Sequence, residues 1–270
     1  MSTFSTCTST TRPSSPTDGD VLFETDTKNV IMWNGTNWIG YQKDIVVPGS
    51  ITNTYSLDFD GSNDYLLMGS SAINLDTDFT MSAWFKPESA ALAGYDFIAG
   101  WGNAASGQSR VMQILNSKLS FEIYLSRISG STTLSAGNWY HGVITYSSND
   151  VRVYLNGSLD GSGTLSRANM SSSNTFVGGT AAFTSAGFSP FAGLVDEFAV
   201  FDSVLSDYQI NLLYNSGTPN DVGVLNPVGW WRMGDNDSGT GATVTDQGSG
   251  GNDGTLTNGP VFVSGAGNTP

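Results

Sequence analysis

Carboxylate groups that could carry out a reaction are few in this sequence and widely spaced. Hydrolysis of a sugar bond needs two carboxylates about 5–10 Å apart. The glutamates are isolated from one another along the chain: Glu24, Glu88, Glu122 and Glu197. Asp196 is adjacent to Glu197, and neighbouring residues of a strand point to opposite faces. We therefore expect no catalytic residues and no enzyme activity.

The chain has a single histidine, His141, and a single cysteine, Cys7. One histidine cannot build a multi-histidine zinc site, and one cysteine cannot close an internal disulfide. His141 lies on a predicted strand, so we interpret it as a packed structural residue rather than a general base. The sequence has no Gly-x-Ser-x-Gly elbow. Its glycine-rich stretches, 239–241 and 248–251, lack the lysine of a phosphate-binding loop and are typical of turns.

Oxygen-rich side chains gather in two segments that could hold a calcium ion. Hard cations take carboxylate, amide and backbone oxygens. One segment contributes Asp58, Asp60, Asn63 and Asp64, and the other is 235–237. Neither segment has the spacing of an EF-hand loop. In the alternative interpretation these side chains bond to the backbone of turns. Calcium is the one cofactor that we consider, and we expect that the protein requires no cofactor.

A tryptophan flanked by polar side chains could bind a sugar. Lectin sites combine an aromatic platform with amide and carboxylate groups that form hydrogen bonds. Trp101, Asn103, Gln108 and Arg110 have that composition. In the alternative interpretation Trp101 belongs to the core, and the segment after it is a polar loop without a ligand.

Net charge and hydropathy argue against two classes of partner. The chain has 10 Lys and Arg against 24 Asp and Glu, a formal charge of −14, whereas binding to phosphates needs clustered basic residues. No stretch reaches the roughly 18–20 apolar residues of a membrane helix. The N-terminus has no apolar segment of the kind found in secretory signals. We therefore expect no contact with nucleic acid or with a membrane.

The first 54 residues divide into three segments. Residues 1–20 are rich in Ser, Thr and Pro and predict a flexible arm. Short β-type runs over 21–42 predict a β-meander, and 43–54 is interpreted as a linker. So small a meander cannot bury a sufficient core alone, so it is either a flap on the next domain or an assembly module. An assembly module would anchor the chain through Trp33, Asn34, Gly35, Trp38 and Tyr41.

The remainder of the chain predicts an all-β domain over 55–270. Short alternating β-runs with turn signals between them indicate an antiparallel sandwich. One short helix is predicted over 206–215, with Ser206 or Asp207 as its N-cap and Gly217 in the left-handed cap position. Residues 226–270 are again strands and turns, which either add strands to the sandwich or form a truncated second unit.

Several segments in this order resemble the laminin-G-like (concanavalin A-like lectin/glucanase) superfamily. They cover roughly residues 55–217 and are Ser56–Tyr65, Phe79–Pro87, Gly137–His141, Val151–Gly157, Phe191–Phe198 and Leu205–Gly217. The stretch from Gly229 to Asp235 is similar to the family as well. The resemblance implies a two-sheet jelly-roll over 55–270, which residues 226–270 complete or extend. The glucanases of the superfamily carry a Glu-x-Asp-x-x-Glu motif, and that motif is absent here.

The resemblance also implies where ligands would bind. Laminin-G and pentraxin relatives bind calcium through loops at the rim of the concave sheet. The corresponding loops are 102–109 and 147–150, in which only Asp150 is acidic, so a double-calcium site of the pentraxin type is not expected. The same comparison adds Asn149 and Asp150 to the expected glycan-binding residues.

The opening segment, from Arg12 to Trp38, is similar to the N-terminal modules of phage fibre and head-decoration proteins. This resemblance implies a bacteriophage virion structural protein that displays a lectin-like sandwich for host or environmental glycans. The implied partners are further copies of the chain, as a trimer, and the major capsid protein or other virion proteins. The implied location is the virion surface, after assembly in the host cytoplasm. The alternatives are a free carbohydrate-binding module or tail-fibre adhesin, and, more remotely, a glucanase-like hydrolase.

Overall fold

The chain forms two compact units, residues 1–47 and 48–270. The computed structural model describes residues 5–16, 21–26, 29–33, 36, 38–40, 49, 51–70, 73, 75–92, 94–103, 105–170, 174–179, 189–265, 267 and 269–270. No helix in these ranges is long and apolar enough to cross a membrane.

The first unit is a small sheet of strands in the order β1-β2-β3-β4. The strands are β1 Ser5–Cys7, β2 Val21–Glu24, β3 Asn29–Trp33 and β4 Trp38–Gly40. Strand β1 pairs with β2 in parallel, and the other pairs are antiparallel. The Trp33 and Trp38 rings meet edge to face, with centroids 5.6 Å apart.

Part of the segment predicted as a flexible arm is tied to this sheet. Beyond β1, the backbone N–H of Ser9 donates to Asp26 at 2.9 Å. The Arg12 guanidinium donates to the buried Glu24 carboxylate at 2.5 Å. Strand pairing, the Asp26 bond and the part-buried ion pair thus connect residues 5–12, within the segment predicted as a flexible arm, to the sheet.

The second unit is an antiparallel β-sandwich, as the sequence predicted. Its strands are β5 Tyr55–Asp60, β6 Tyr65–Ser70, β7 Phe79–Pro87, β8 Tyr95–Gly102, β9 Ser109–Leu115, β10 Lys118–Ile123, β11 Ser126–Ser129, β12 Tyr140–Ser147, β13 Asp150–Leu155, β14 Ser158–Thr164, β15 Asn174–Val177, β16 Ser189–Pro190, β17 Ala192–Phe201, β18 Gly229–Trp231, β19 Thr243–Val244, β20 Gly254–Thr257 and β21 Val261–Ser264. Short 3-10 turns occupy Ala90–Leu92 and Val222–Leu225.

Two sheets enclose the main core. The helix-side sheet has the order β14-β13-β12-β7-β17-β5-β21, with β18 on β17. The opposite sheet has the order β11-β10-β9-β8-β15-β6-β20-β19, with β16 on β8. Strands from 226–270 therefore join both sheets. Aromatic rings fill the space between the sheets, with Phe79 stacked on Tyr146 at 5.4 Å and edge to face with Trp101 at 4.9 Å.

A short helix, α1 (Asp207–Tyr214), covers the outer face of the helix-side sheet, as expected. Its N-terminus is fixed by a capping box, in which Ser206 and Gln209 bond reciprocally to each other's backbone N–H. The left-handed C-cap is Asn215, with φ 43°, rather than Gly217. Ile210 and Leu213 pack in a second apolar cluster that includes side chains of the sheet below.

Candidate functional site

The two loops expected to form a ligand rim lie at the same end of the sandwich. A third segment, 165–170, joins them. The N–H of Ala168 donates to the Gly107 carbonyl at 3.0 Å, and the N–H of Leu165 donates to the Asn149 carbonyl at 2.9 Å. Because β8 and β9 belong to one sheet and β12 and β13 to the other, this rim spans both sheets. We call residues 103, 105–108, 147–150 and 165–170 the rim.

Two of the expected glycan ligands are buried, which corrects the prediction for them. Trp101 is 0% exposed and packs against Phe79 in the core, so it offers no ring face to a sugar. Arg110 is also 0% exposed. Its guanidinium donates to the carbonyls of Gly107 at 2.8 Å and Ala168 at 3.1 Å. Arg110 therefore holds the rim together from inside instead of contacting a ligand.

The other four expected glycan ligands lie at the surface of the rim. Asn149 and Asp150 are exposed, and Asn103 and Gln108 are half-buried. Asn149 adopts φ 80°, and its amide oxygen accepts a bond from the Tyr146 hydroxyl at 2.8 Å. The rim thus brings three amide side chains and one carboxylate to the same end of the sandwich.

Arg167 is a rim residue that the sequence reading missed. Its guanidinium carbon lies 5.3 Å from the centre of the Tyr146 ring, and the side chain is half-buried. This cation–π contact places a guanidinium over the ring of Tyr146, whose hydroxyl donates to the exposed Asn149. The only available signal was an arginine in a polar segment of a chain with few basic residues.

The segment predicted to hold calcium at 58–64 forms a turn. The Asp60 carboxylate accepts the N–H of Ser62 at 2.7 Å, and the Asp64 carboxylate accepts the N–H of Asp60 at 3.2 Å. The backbone carbonyl of Asn63 accepts a bond from the Asn258 amide. Asp58 is half-buried on β5. Like charges and burial raise the pKa values of Asp58 and Asp64, with burial the larger cause.

The residues predicted to anchor the chain lie in the first unit. Trp33 and Trp38 form the edge-to-face pair across β3 and β4, and both are half-buried. Asn34, Gly35 and Tyr41 lie outside the described residues.

A different set of acids comes together in the second unit. Carboxylate oxygens of Asp196, Glu197 and Asp235 all lie within 4.8 Å of one another. We call these three residues the acid cluster; among the residues that the structure describes, it is the one group of this kind. The expectation that Asp196 and Glu197 point to opposite faces is wrong. A bulge interrupts the β17–β7 register between Asp196 and Ala199, and Glu197 adopts φ 49°.

Buried donors hold two members of the acid cluster. The Glu197 carboxylate accepts the Trp230 indole N–H at 2.6 Å and the Arg232 Nε–H at 3.0 Å. The Asp196 carboxylate accepts the Asn53 amide at 2.8 Å. Side-chain exposure is 2% for Glu197 and 11% for Arg232.

Burial changes the acidity of these groups. Burial raises the pKa of Glu197 to about 7, although the Arg232 charge opposes the shift. Burial, followed by repulsion from Glu197, raises the pKa of Asp196 well above its ordinary value. Burial also raises the pKa of Asp235. Burial therefore favours the protonated form of all three carboxyl groups, and the charge of Arg232 opposes this at Glu197 and Asp235.

A cavity of about 510 Å³ opens beside the acid cluster. Its lining is mostly polar and includes one aromatic ring: Ile51, Thr52, Thr54, Tyr55, Arg232, Asp235 and Ser238. Residues 52–54, which the sequence assigned to a linker, are part of this site. The backbone N–H of Thr54 donates to the Asp235 carboxylate at 2.8 Å, and the Thr52 carbonyl accepts from Arg232 at 2.7 Å.

The single histidine lies apart from these acids. His141 is 1% exposed, and its Nε2 lies 2.8 Å from the Ser82 hydroxyl. Burial lowers the pKa of His141 to about 3, so the ring is neutral at physiological pH. Its ring also packs 4.9 Å from that of Trp84. This environment is that of a packed core residue.

Comparison with known proteins places the sandwich in a family. The family model described as the Concanavalin A-like lectin/glucanases superfamily matches residues 60–211, more than half of the chain. Among curated proteins, none matches.

Solved structures with a similar fold share little sequence with this chain. One is a protein of Bacteroides ovatus ATCC 8483 whose carbohydrate binding is itself inferred; it has a TM-score of 0.62 and 14% identity, over 92% of this chain and 70% of that one. Another is the heptameric SAP-like pentraxin of Limulus polyphemus, with a TM-score of 0.55 and 14% identity, over 81% of this chain and 98% of that one. At these identities the likeness shows the fold alone.

Proposed function

Because the chain belongs to the Concanavalin A-like lectin/glucanases superfamily, we propose that it is a non-catalytic glycan-binding protein displayed on a bacteriophage particle. The 48–270 unit binds the glycan, and the 1–47 unit attaches the chain to the particle. The observation that carries the binding role is the rim, where the exposed Asn149 and Asp150 of one sheet lie at the same end of the sandwich as the half-buried Asn103 and Gln108 of the other. The Bacteroides ovatus protein, with its inferred carbohydrate binding, supports the same role.

The geometry of the acids favours binding over hydrolysis. Retaining and inverting glycosidases hold their two carboxyl groups about 5 Å apart or more, on either side of the sugar bond. In the acid cluster, by contrast, Asp196 and Glu197 are buried, so no sugar can lie between their carboxyl groups. Trp230 and Arg232 each donate to one oxygen of Glu197, and the side chain is 2% exposed, so a sugar has no access to that carboxylate.

The division into two compact units supports display on a particle. The small sheet of the first unit carries the Trp33 and Trp38 pair, and aromatic side chains are enriched at protein interfaces. In this proposal the sheet packs on neighbouring copies, as a trimer, and on the major capsid protein or another virion protein. Many copies on one particle would raise the avidity of a weak glycan site. The sandwich would then face outward on the virion surface, after assembly in the host cytoplasm.

Screening the full chain on a glycan array tests the binding role, followed by calorimetry of the strongest glycan. Replacing Asp150 by Ala should weaken that affinity about tenfold or more, because a hydrogen bond to a charged group contributes about 1.5–3 kcal/mol. Glu88→Ala is the matched control, since Glu88 is an exposed acid at the other end of β7 from the rim. Equal affinities for the two variants, or no binding to any glycan, would contradict the proposal.

Deletion of residues 1–47 tests the attachment role. We expect the shortened chain to be lost from assembled particles, because the anchoring sheet is gone. Circular dichroism of the purified 48–270 chain should show that its β-structure is retained. Undiminished incorporation of a folded 48–270 chain would instead favour a free carbohydrate-binding module or an adhesin attached in another way.

A further inference from the structure

The acid cluster lacks sufficient positive charge. Three buried carboxylates face one guanidinium, that of Arg232. Each nitrogen of the Arg232 guanidinium already donates one hydrogen bond: Nε to Glu197, Nη1 to Asn236 and Nη2 to the Thr52 carbonyl. Burying unpaired carboxylates is costly unless a proton or a cation compensates them.

A second observation, independent of the number of acids, points to a ligand. The Asp235 side chain is 4% exposed, and its Oδ2 is buried without a hydrogen-bond partner. The nearest guanidinium nitrogen, Arg232 Nη2, is 3.8 Å away, which is too long for a hydrogen bond. The Asn53 side-chain oxygen is likewise buried and unpartnered, while its amide nitrogen bonds to Asp196. One acceptor without a donor thus belongs to the acid cluster, and the other belongs to a side chain that is bonded to it.

We propose that Asp196, Glu197, Asp235 and the side-chain oxygen of Asn53 bind a calcium ion. Calcium takes carboxylate and amide oxygens at about 2.3–2.6 Å, so opposite ligands on one ion lie about 5 Å apart. Carboxylate oxygens that all lie within 4.8 Å of one another fit this span. The adjoining cavity, lined by Asp235 and Thr54, provides a route for the ion and space for water ligands.

The ion would fasten three separate parts of the chain together. Asn53 precedes β5, Asp196 and Glu197 lie at the bulge of β17, and Asp235 follows β18. Binding at this point would stabilise the folded state, because the unfolded chain does not bring these oxygens together.

Thermal unfolding of the full chain, freed of cations with a chelator, is the first test. Calcium chloride at a hundredfold excess over the Kd should raise the Tm by about 5–10 °C, since only the folded state binds the ion. Magnesium chloride should raise it less, because magnesium demands a smaller and more regular shell. Potassium chloride at equal ionic strength should give no rise.

Three variants test which residues are responsible for the response to calcium. Asp235→Asn retains an oxygen for the Thr54 N–H but removes one charge, and it should weaken calcium binding at least tenfold. Asn53→Asp should lower the Tm of the calcium-free protein, because it adds a fourth carboxylate, and it should also tighten calcium binding. If Asn53 had only a structural role, the substitution would not tighten calcium binding. Asp60→Asn is the matched control in the turn at 58–64 and should respond like the wild type.

Terbium luminescence provides a readout that does not depend on stability. The Trp230 indole nitrogen lies 2.6 Å from the Glu197 carboxylate, so the ring would transfer excitation to a terbium ion bound there. Emission should appear with the folded wild type, be displaced by calcium, and be lost in Asp235→Asn. Absence of both terbium emission and a calcium-dependent Tm shift would overturn the proposal. A response that survives in Asp235→Asn but disappears in Asp60→Asn would overturn it as well.

Discussion

Replacement of Arg232 by Ala is expected to lower the free energy of unfolding by about 3–5 kcal/mol, because it removes one partner of a buried ion pair. The Glu197 carboxylate would remain buried with only the Trp230 N–H as a donor. Asp196 and Asp235 would lie beside it with no guanidinium nearby. Urea denaturation in calcium-free buffer, followed by tryptophan fluorescence, measures the loss.

The control for this variant is Arg152→Ala, since Arg152 is an exposed residue of β13 and exposed charges contribute little to stability.

The pH dependence of the unfolding free energy gives a second check on the role of Arg232. The pKa of Glu197 is raised to about 7 in the folded protein, against its ordinary value near 4.5, so the folded state binds more protons than the unfolded state between these values. The unfolding free energy contributed by this group therefore rises as the pH falls from about 7 towards 4.5. The defect of Arg232→Ala should shrink over that range, and similar losses in both variants at every pH would contradict the assignment.

Trp101→Ala is expected to cost about 3–5 kcal/mol of unfolding free energy, the usual loss when a large aromatic side chain is removed from a core. Trp101 is fully buried and packs edge to face with Phe79 at 4.9 Å. The substitution leaves a cavity between the two sheets, and neighbouring rings can fill it only in part. Chemical denaturation of the full chain checks the magnitude.

Glycan affinity distinguishes this packing role from a sugar platform. Because Trp101 offers no exposed ring face, Trp101→Ala protein that remains folded should bind the array-selected glycan as the wild type does. Trp101→Phe should restore part of the stability by keeping an aromatic contact with Phe79. Loss of glycan binding with unchanged stability would show that Trp101 contacts the sugar after all.

Local patterns were sufficient to predict the sandwich and its helix. Alternating β-runs determine strands with little help from distant contacts, and the Ser206 and Gln209 pair determines the start of α1 within one turn of chain. The loops 102–109 and 147–150 could be placed at one rim because the family resemblance implies the corresponding loops. Of the expected glycan ligands, Asn149 in the turn before β13 and Asp150 at the start of β13 were found at the surface.

Local patterns could not decide which way Trp101 and Glu197 point. Trp101 lies near the end of β8. A bulge at 97–99 determines which face of the sheet the later side chains of β8 point to, and the sequence does not reveal that bulge. At Glu197 a second bulge turns the side chain into the acid cluster. The Arg232 and Glu197 pair spans 35 residues. An arginine between buried neighbours is expected to pair with an acidic side chain, but the sequence does not indicate which acidic residue is the partner.

Hydrogen–deuterium exchange of the full chain, with and without the strongest glycan from the array, tests most directly whether this sandwich recognises sugars at its rim. Bound glycan should slow exchange in 103, 105–108, 147–150 and 165–170 and leave the oligosaccharide intact. Protection confined to other segments, or cleavage of the oligosaccharide by the wild-type protein, would contradict a non-catalytic glycan site at the rim.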